Sequence, residues 1–526
     1  MGVIATSQCS PKRHAVAEKR HGDSTKCRRR REPILCIVVA TDARAWHRGY
    51  LLYALCVVGV LMFSIDASIV AVALPTMMTE LDTTLPLITW TLAGYTLAQV
   101  ALQPAIAKFS DNFGRNRVFL VCVLIFTLSS LACAISPNVW VLIACRAVQA
   151  IGGSGLLPAA TGIVVHSYPA RLRERLIGLF TSIIPMGAII GPNLGGLILT
   201  QFSWRGIFFI NLPIGLAILA VLRDRFRLDE PPAREKPIDY PGIVLFASAI
   251  SCVMVALTSL GSDAQLLRSP VFWGLLVAAL AIGWLFVAQE KRAADPMLDV
   301  NISVLPPFLQ VNLYNLLYGM GIFSVMAFVP YYAETRFGMS PAQTGVLLTP
   351  RSIMLIVMST VASVWLLKYG YRWPMVAGTS IVVVGLLLLG LLPSPFQLGP
   401  LAMTPFWAIA IAMMLAGIGM GTAAPASNNA GIALMPRQAA AIAGLRAMIR
   451  SLGGVLGQGL VVVIMEFAPD RGTGLQYAFV GFGLLLLATL PIVLTIPDRS
   501  RKPQPERGDV SAAQASPAIT TPFGSR

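Results

Sequence analysis

The sequence predicts an all-α membrane protein that crosses the bilayer fourteen times. Of its 526 residues, 56% are hydrophobic and 12% are charged, against about a quarter charged in an average soluble domain. The apolar residues come in runs of roughly 20, the length that a helix needs to cross the hydrocarbon core. None of the runs alternates as a barrel strand does. A soluble enzyme, a collagen-like fibre and a disulfide-stapled secreted module are therefore excluded.

The predicted spans follow one another with short polar turns, many of which contain Pro or Gly. Only the run at residues 34–40 is apolar yet too short to cross. The fourteen predicted spans are 49–74, 87–107, 118–136, 139–165, 176–200, 206–222, 240–260, 270–289, 308–332, 343–367, 374–393, 401–428, 441–466 and 475–496.

The distribution of Lys and Arg predicts the orientation. With the amino terminus in the cytoplasm, the inner loops hold sixteen of these residues and the outer loops hold four. We therefore expect a multi-pass protein of the plasma (inner) membrane with both termini cytoplasmic. Residues 1–48 are predicted to be a basic, disordered cytoplasmic arm, and residues 497–526 a disordered tail. The arm could also bind anionic lipid, whereas we expect no nucleic-acid partner.

The residues that most catalytic centres require are scarce. The eight cysteines are scattered with no C-x-x-C pair, and three of the four histidines lie in the amino-terminal arm. Zinc, haem and disulfides therefore have few ligands or partners. The sequence has no Gly-Lys dipeptide, so a Walker A phosphate loop is excluded. We expect no enzyme activity, no metal and no cofactor, and energy must come from a gradient or a partner.

A faint internal repeat divides the spans. Residues 150–159 (AIGGSGLLPA) resemble residues 417–426 (GIGMGTAAPA), and Gly187 and Gly191 are mirrored by Gly453 and Gly457. Two homologous six-span bundles, at 49–222 and 307–496, are therefore predicted, joined by a linker at 223–306 that contains two inserted spans. Such parallel repeats are common in secondary transporters. Generic packing of small residues between helices would also give this glycine spacing.

Five motifs in order resemble those of the major facilitator superfamily. They are residues 65–75 (IDASIVAVALP), 107–117 (AKFSDNFGRNR), 146–153 (RAVQAIGG), 187–196 (GAIIGPNLGG) and 204–213 (WRGIFFINLP). Within the superfamily, the chain is most similar to the fourteen-spanner drug:proton antiporters. The resemblance covers about residues 50–496 and implies the major facilitator fold, with two pseudo-symmetric six-helix bundles and two extra central helices. Departures such as Ala71, Ala107 and Asn112 leave the fold unaffected.

Asp66 is the only acidic residue deep inside a predicted span, and Arg146 enters span four to a matching depth. Charges in a bilayer are costly and therefore functional by default. If spans one and four line the centre of the first bundle, as the resemblance implies, the two side chains can pair. We expect Asp66 to carry a proton or cation and Arg146 to tune it. A static ion pair that fixes the fold is the alternative.

The resemblance assigns roles to two further motifs. The loop with Asp111, Gly114, Arg115 and Arg117 is implied to gate the cytoplasmic side, although it could serve only to set topology. The helix with the antiporter pattern is implied to bend at Pro192 and to pack closely through its glycines, which are Gly187, Gly191, Gly195 and Gly196.

Three more charges lie near or within the second bundle. Glu334 could recognise a cationic substrate, although a solvated charge at a helix end is the simpler interpretation. Arg446 and Arg450 either extend toward the cytoplasm or contact anionic groups, and we expect the former.

The predicted function is therefore proton-coupled efflux of hydrophobic or cationic drugs or toxic compounds by alternating access. The expected partners are a small-molecule substrate, protons and the lipid bilayer. Whether a periplasmic adaptor protein also binds is an open question. A transporter dedicated to one endogenous metabolite would use the same scaffold. A receptor or scaffold would not need Asp66 in the bilayer.

Overall fold

The structure of the protein is a computed structural model that describes residues 34–168, 170–223, 239–293, 296, 306–391, 404–434 and 439–496. These described residues are helical, with turns between the helices and no strands. The chain forms two compact units, Met1–Tyr50 and Leu51–Arg526. The predicted tail at 497–526 lies outside the described residues, as does the arm up to residue 33.

The helices of the first bundle are α1 (Ile34–Glu80), α2 (Leu85–Ile88), α3 (Trp90–Phe113), α4 (Arg115–Ala134), α5 (Val139–Ser167), α6 (Ala170–Gln201), α7 (Gly206–Phe209) and α8 (Asn211–Arg223). The two inserted helices are α9 (Tyr240–Leu260) and α10 (Pro270–Glu290). The second bundle contains α11 (Pro306–Met326), α12 (Val329–Phe337), α13 (Pro341–Leu347), α14 (Thr349–Tyr369), α15 (Arg372–Gly390), α16 (Pro405–Leu434), α17 (Ala439–Glu466), α18 (Arg471–Leu487) and α19 (Leu490–Thr495).

All fourteen predicted spans correspond to apolar helical segments. Thirteen segments in the described residues are long enough to cross a membrane, and the remaining one, Gly206–Leu222, is shorter. The main differences lie at the amino terminus, where residues 34–48 were expected to be disordered but are helical.

Prolines account for three interruptions that hydropathy does not reveal. A proline lacks the amide hydrogen that would donate to the carbonyl four residues earlier. Accordingly, α7 ends four residues before Pro213, α11 ends four residues before Pro330, and α18 ends four residues before Pro491. Each of these spans is therefore a pair of helical segments rather than one straight helix.

Glycines pack the two bundles in the same way. In the first bundle, a Cβ on Gly191 would meet the carbonyl of Ile65 at 2.8 Å and the Ser68 side chain, so α6 lies directly against α1. In the second bundle, a Cβ on Gly457 would meet the carbonyl of Met320 at 2.7 Å and the Ser324 side chain, so α17 lies equally close to α11. The repeat seen in the sequence is thus a repeat of helix contacts.

The inserted helices lie beside the junction of the two bundles. Helix α9 packs on α10 and also contacts α3 of the first bundle and α17 of the second. The Trp90 indole of α3 donates a hydrogen bond of 2.8 Å to the Thr258 hydroxyl of α9. Helix α9 therefore touches both bundles, while α10 is largely exposed to the surroundings of the bundle.

The glycine contacts predict a selective loss of stability. A methyl group at Gly453 would meet the Leu316 carbonyl and the Met320 amide nitrogen, the latter at 2.9 Å, so α17 must move away from α11. We expect Gly453→Ala to cost about 1–3 kcal/mol and to lower the Tm in detergent by several degrees. The Tm is measured by heating detergent-solubilised samples and determining, by size-exclusion chromatography, the fraction of protein that stays soluble at each temperature.

Gly444 is the matched control, because it lies on the same helix and a Cβ there meets nothing within 4 Å. Gly444→Ala should leave the Tm unchanged or raise it slightly, since Ala favours helix over Gly by about 0.5–1 kcal/mol. Equal losses in both variants would show that close packing at Gly453 is not the cause.

Candidate functional site

A buried ion pair lies at the centre of the first bundle. The Asp66 carboxylate on α1 accepts a hydrogen bond of 2.6 Å from Nη1 of Arg146 on α5. Both residues are 0% exposed. The contact expected from their matching depth in spans one and four is therefore present. Since the two charges cancel, the pair can persist inside a bundle where either charge alone would be costly.

Three neutral side chains complete a network around the carboxylate. Gln149 donates a hydrogen bond of 2.9 Å to Oδ1 of Asp66, and its own Oε1 accepts one of 2.7 Å from Nη1 of Arg146. Asn211 of α8 also donates to Oδ1 of Asp66, at 2.9 Å. The Ser130 hydroxyl of α4 accepts from Gln149 at 2.7 Å and from Asn211 at 3.3 Å. Four helices thus meet at one carboxylate.

Helix α3 supplies two further contacts of the guanidinium, and the Phe208 ring of α7 lies 5.6 Å from it. Nε of Arg146 donates to the Thr91 carbonyl at 3.2 Å, and its guanidinium carbon lies 3.9 Å from the centre of the Tyr95 ring. Nη2 of Arg146 and the Tyr95 hydroxyl are both buried without a hydrogen-bond partner. A cation on an aromatic face keeps a favourable contact even without its anion. The guanidinium therefore has a second partner if Asp66 becomes neutral.

The network includes residues whose role the sequence did not indicate. Gln149 and Asn211 both belong to motifs that carried the family resemblance, but neither was predicted to contact Asp66. Ser130 lies in no motif. Polar residues in apolar spans were the available signal, because a buried amide or hydroxyl requires a partner.

The glycines of α6 make two different contacts. Those at 187, 191 and 195 lie against α1, whereas a Cβ on Gly196 would meet the Pro341 carbonyl of the second bundle at 2.6 Å. Reciprocally, Gly345 of α13 lies against the Pro192 carbonyl. Each bundle therefore places a glycine against a proline carbonyl of the other, and α6 contacts the Asp66 helix and the opposite bundle at the same time.

The contacts of Gly196 and Gly345 with the opposite bundle lie toward the end of the molecule where α1 ends, which we call the Glu80 end. Close to it, the Asn193 amide donates to the Thr349 hydroxyl at 2.6 Å, and the Ser352 hydroxyl donates to the Ala188 carbonyl at 3.4 Å. One cluster of buried apolar side chains here includes residues of both bundles. The two bundles are therefore closed against each other at the Glu80 end.

The predicted gating loop lies at the opposite end, which we call the Gly114 end. Gly114 joins α3 to α4 with φ +94°, a backbone conformation that favours glycine and agrees with its predicted place in a tight turn. Arg115 packs against α5, since a Cβ on Gly162 would meet its Nε at 2.8 Å. Arg117 is exposed, and the side chain of Asp111 lies outside the described part of the structure.

Glu334 lies on α12 near the Glu80 end and is partly buried. Its Oε2 atom is buried without a hydrogen-bond partner. The structure does not bring it together with Asp66, and no salt bridge to it is formed within the described residues. The same residues contain no cluster of three or more His, Cys, Asp or Glu that could hold a metal ion.

Two bundles related by repeated helix contacts, with a neutralised ion pair inside one of them, define a helical membrane transporter of the repeat-built class. The family model described as Major Facilitator Superfamily matches residues 56–315 and again residues 311–525. The chain belongs to this superfamily. The second match covers the second bundle, in agreement with the repeat.

Named relatives agree with this assignment. The chain is 29% identical over 431 residues to the tetracenomycin C resistance and export protein of Streptomyces glaucescens, covering 79% of this chain and 76% of that one. It is 28% identical over 403 residues to a riboflavin transporter of Clostridioides difficile, covering 76% and 84%. A bacterial homolog of the human lysosomal transporter Spinster, solved in an inward-facing and occupied conformation, matches with a TM-score of 0.58 at 16% identity, covering 85% and 96%.

The ion pair predicts an asymmetry between its two partners. Asp66→Asn leaves a guanidinium that keeps its charge, whereas Arg146→Gln leaves a carboxyl that can neutralise itself by taking up a proton. We expect Asp66→Asn to cost about 3–5 kcal/mol of stability and Arg146→Gln to cost less. The measurement is Tm in detergent at neutral pH.

The double variant Asp66→Asn with Arg146→Gln serves as the control, because it removes both charges. It should recover part of the stability that Asp66→Asn loses. A double variant whose loss equals the sum of the two single losses would show that the pair has no coupling energy.

Proposed function

We propose that this transporter exports hydrophobic toxic compounds in exchange for protons, with Asp66 as the proton-carrying group. The observation that supports this most directly is the Asp66 carboxylate, which is fully buried, paired with Arg146 and held by donors from two other side chains. A carboxylate whose partners can release it in turn is suited to bind and release a proton.

The contacts of Arg146 support a reversible pair rather than a permanent one. When Asp66 takes up a proton, Arg146 retains the Thr91 carbonyl and the Tyr95 ring. Gln149 and Asn211 can still donate to a protonated carboxyl through its carbonyl oxygen. The network therefore tolerates both the ionised and the protonated state of Asp66. The free energy needed to break the ion pair can come from the proton gradient.

The position of α6 suggests how this change reaches the other bundle. Its glycines at 187, 191 and 195 contact the helix that carries Asp66, and Gly196 contacts the second bundle. A shift of α1 that accompanies a change in the protonation of Asp66 would also move α6 and so alter the contact at the Glu80 end. This arrangement supports alternating access by rocking of the two bundles.

Relatives support efflux of toxic compounds, since one carries resistance and export in its name. Transport of a single metabolite is the second candidate, supported by the similarity to a riboflavin transporter.

Recognition of a cationic substrate would depend on Glu334, which lies at the closed Glu80 end and has an unpartnered carboxylate oxygen. If substrates are cations, Glu334→Gln should weaken efflux of ethidium.

The proton-carrying role of Asp66 is tested in proteoliposomes with phenylnaphthylamine, a neutral lipophilic dye. Wild-type protein should move the dye when a pH gradient is imposed. Asp66→Asn should lower this gradient-driven flux roughly tenfold or more, which corresponds to about 1.4 kcal/mol at the limiting step.

Dye exchange without a pH gradient is the control, because it requires rocking but no proton. Asp66→Asn protein that is folded by size-exclusion should retain this exchange. Gradient-driven flux at the wild-type rate in Asp66→Asn would overturn the assignment of Asp66.

A cross-link at the Glu80 end tests the rocking motion. Asn193→Cys together with Thr349→Cys places two thiols where side chains of the two bundles now lie 2.6 Å apart. Oxidation should stop both dye flux and dye exchange, and reduction with dithiothreitol should restore them. Each single variant is the control and should be insensitive to oxidation, while full transport by the oxidised double variant would exclude opening at this end.

A further inference from the structure

Helix α17 carries two arginines that face α11 without an acidic partner. Arg446 is 8% exposed, and among the described residues its hydrogen bond is a contact of 3.4 Å from Nη1 to the Asn315 side-chain oxygen. Arg450 lies one turn further along, with its guanidinium carbon 5.1 Å from the centre of the Phe323 ring. Neither forms a salt bridge within the described residues.

The surrounding polar atoms are mostly donors that have no acceptor. Nε of Arg446, Nε of Arg450, the Tyr318 hydroxyl and the Asn312 amide nitrogen are all buried without a hydrogen-bond partner. The Asn315 oxygen, which Arg446 contacts, also accepts a hydrogen bond of 3.2 Å from the Ser427 hydroxyl. The cluster therefore has a surplus of donors and of positive charge.

Such a surplus is costly unless an anion compensates it. Two buried charges of the same sign repel each other, and each also loses its hydration. The expectation that both arginines extend toward water does not hold for Arg446, which is more than nine-tenths buried. An anionic group placed between the guanidiniums would satisfy the free donors and remove the repulsion.

The repeat shows that the fold itself does not require these charges. Gly453 in the second bundle corresponds to Gly187 in the first, so Arg446 corresponds to Phe180 and Arg450 to Ile184. At these positions the first bundle has two apolar side chains: Phe180, which is buried against Tyr53 of α1, and Ile184, which is 38% exposed. The second bundle has cations at these positions. If packing were their only role, apolar residues such as Phe and Ile would serve it.

We propose that Arg446 and Arg450 bind an anionic group, a carboxylate, sulfonate or phosphate, carried by the exported compound. Tyr314, Tyr318 and Phe323 of α11 would contact its apolar body. This inference rests on the proposed function and adds the charge of the substrate to it. A lipid headgroup offers the same chemistry, so the test separates a soluble anion from a lipid.

The first arm of the test measures binding of two dyes that differ by one group. Anilinonaphthalene sulfonate is phenylnaphthylamine with an added sulfonate, so the pair isolates the contribution of the anion. Purified protein in nanodiscs of neutral phosphatidylcholine should bind the sulfonate at least about tenfold more tightly than the neutral dye. Equal affinities, or preference for the cation ethidium, would overturn the proposal.

The second arm changes the arginines. Arg446→Gln should weaken sulfonate binding about tenfold, Arg446→Lys should retain most of it, and neither should alter binding of the neutral dye. Arg450→Gln should act in the same direction. Arg268→Gln is the matched control, because it removes an exposed positive charge near α9 and α10. An unchanged preference for the sulfonate in folded Arg446→Gln with Arg450→Gln would refute the site.

The third arm separates the ligand sources and the two proposals. Phosphatidylglycerol in the nanodisc should leave the affinity for the sulfonate dye unchanged. If this lipid instead competes with the dye, the site binds a lipid headgroup and the proposal that it binds the substrate is overturned. If Asp66→Asn keeps gradient-driven flux while the arginine variants lose the sulfonate preference, proton coupling through Asp66 fails and the anion site stands. The converse result removes only the anion site.

Discussion

The neutralisation of Asp66 by Arg146 is the interaction on which the first bundle depends. Helices α1, α4, α5 and α8 each contribute a side chain to this one network, and α3 contributes a carbonyl and an aromatic ring. In a low-dielectric interior, such a network is strong when every member is satisfied and costly when one is missing. Side chains or backbone of five helices are therefore tied together around a single carboxyl.

Hydropathy predicted where helices cross, which needs only distances along the chain. Matching depth predicted that Asp66 and Arg146 can pair only together with the family resemblance, which implies that spans one and four line the centre of the first bundle. The rotation of each helix is set by packing, and a single sequence does not contain it. This is why the contacts of Gln149 and Asn211 were missed, and why Arg446 was expected to reach water although α17 turns it toward α11. Breaks at Pro213, Pro330 and Pro491 were readable in principle, since each removes one amide donor.

Close packing by glycine explains how closely the helices approach each other, both within and between the bundles. Where Gly191 meets α1 and Gly457 meets α11, backbone touches backbone, so contact does not depend on side-chain rotamers. The same device recurs between the bundles, where Gly196 and Gly345 each face a proline carbonyl. Apolar residues stabilise the bundles through the area that they bury, whereas these glycines determine how near the helices come to each other.

The two repeats differ in their buried charged residues. Ser324 corresponds to Ser68, so Ile322 stands where the first bundle has Asp66, and the second bundle instead has the cations Arg446 and Arg450. A proton carried inward on the first bundle and an anion carried outward on the second move electrical charge in the same sense. Each elementary charge is worth about 2.3 kcal/mol per 100 mV of membrane potential. A cycle built this way would draw on the voltage of an inside-negative cell twice, and would continue to expel its cargo when the pH difference across the membrane is zero.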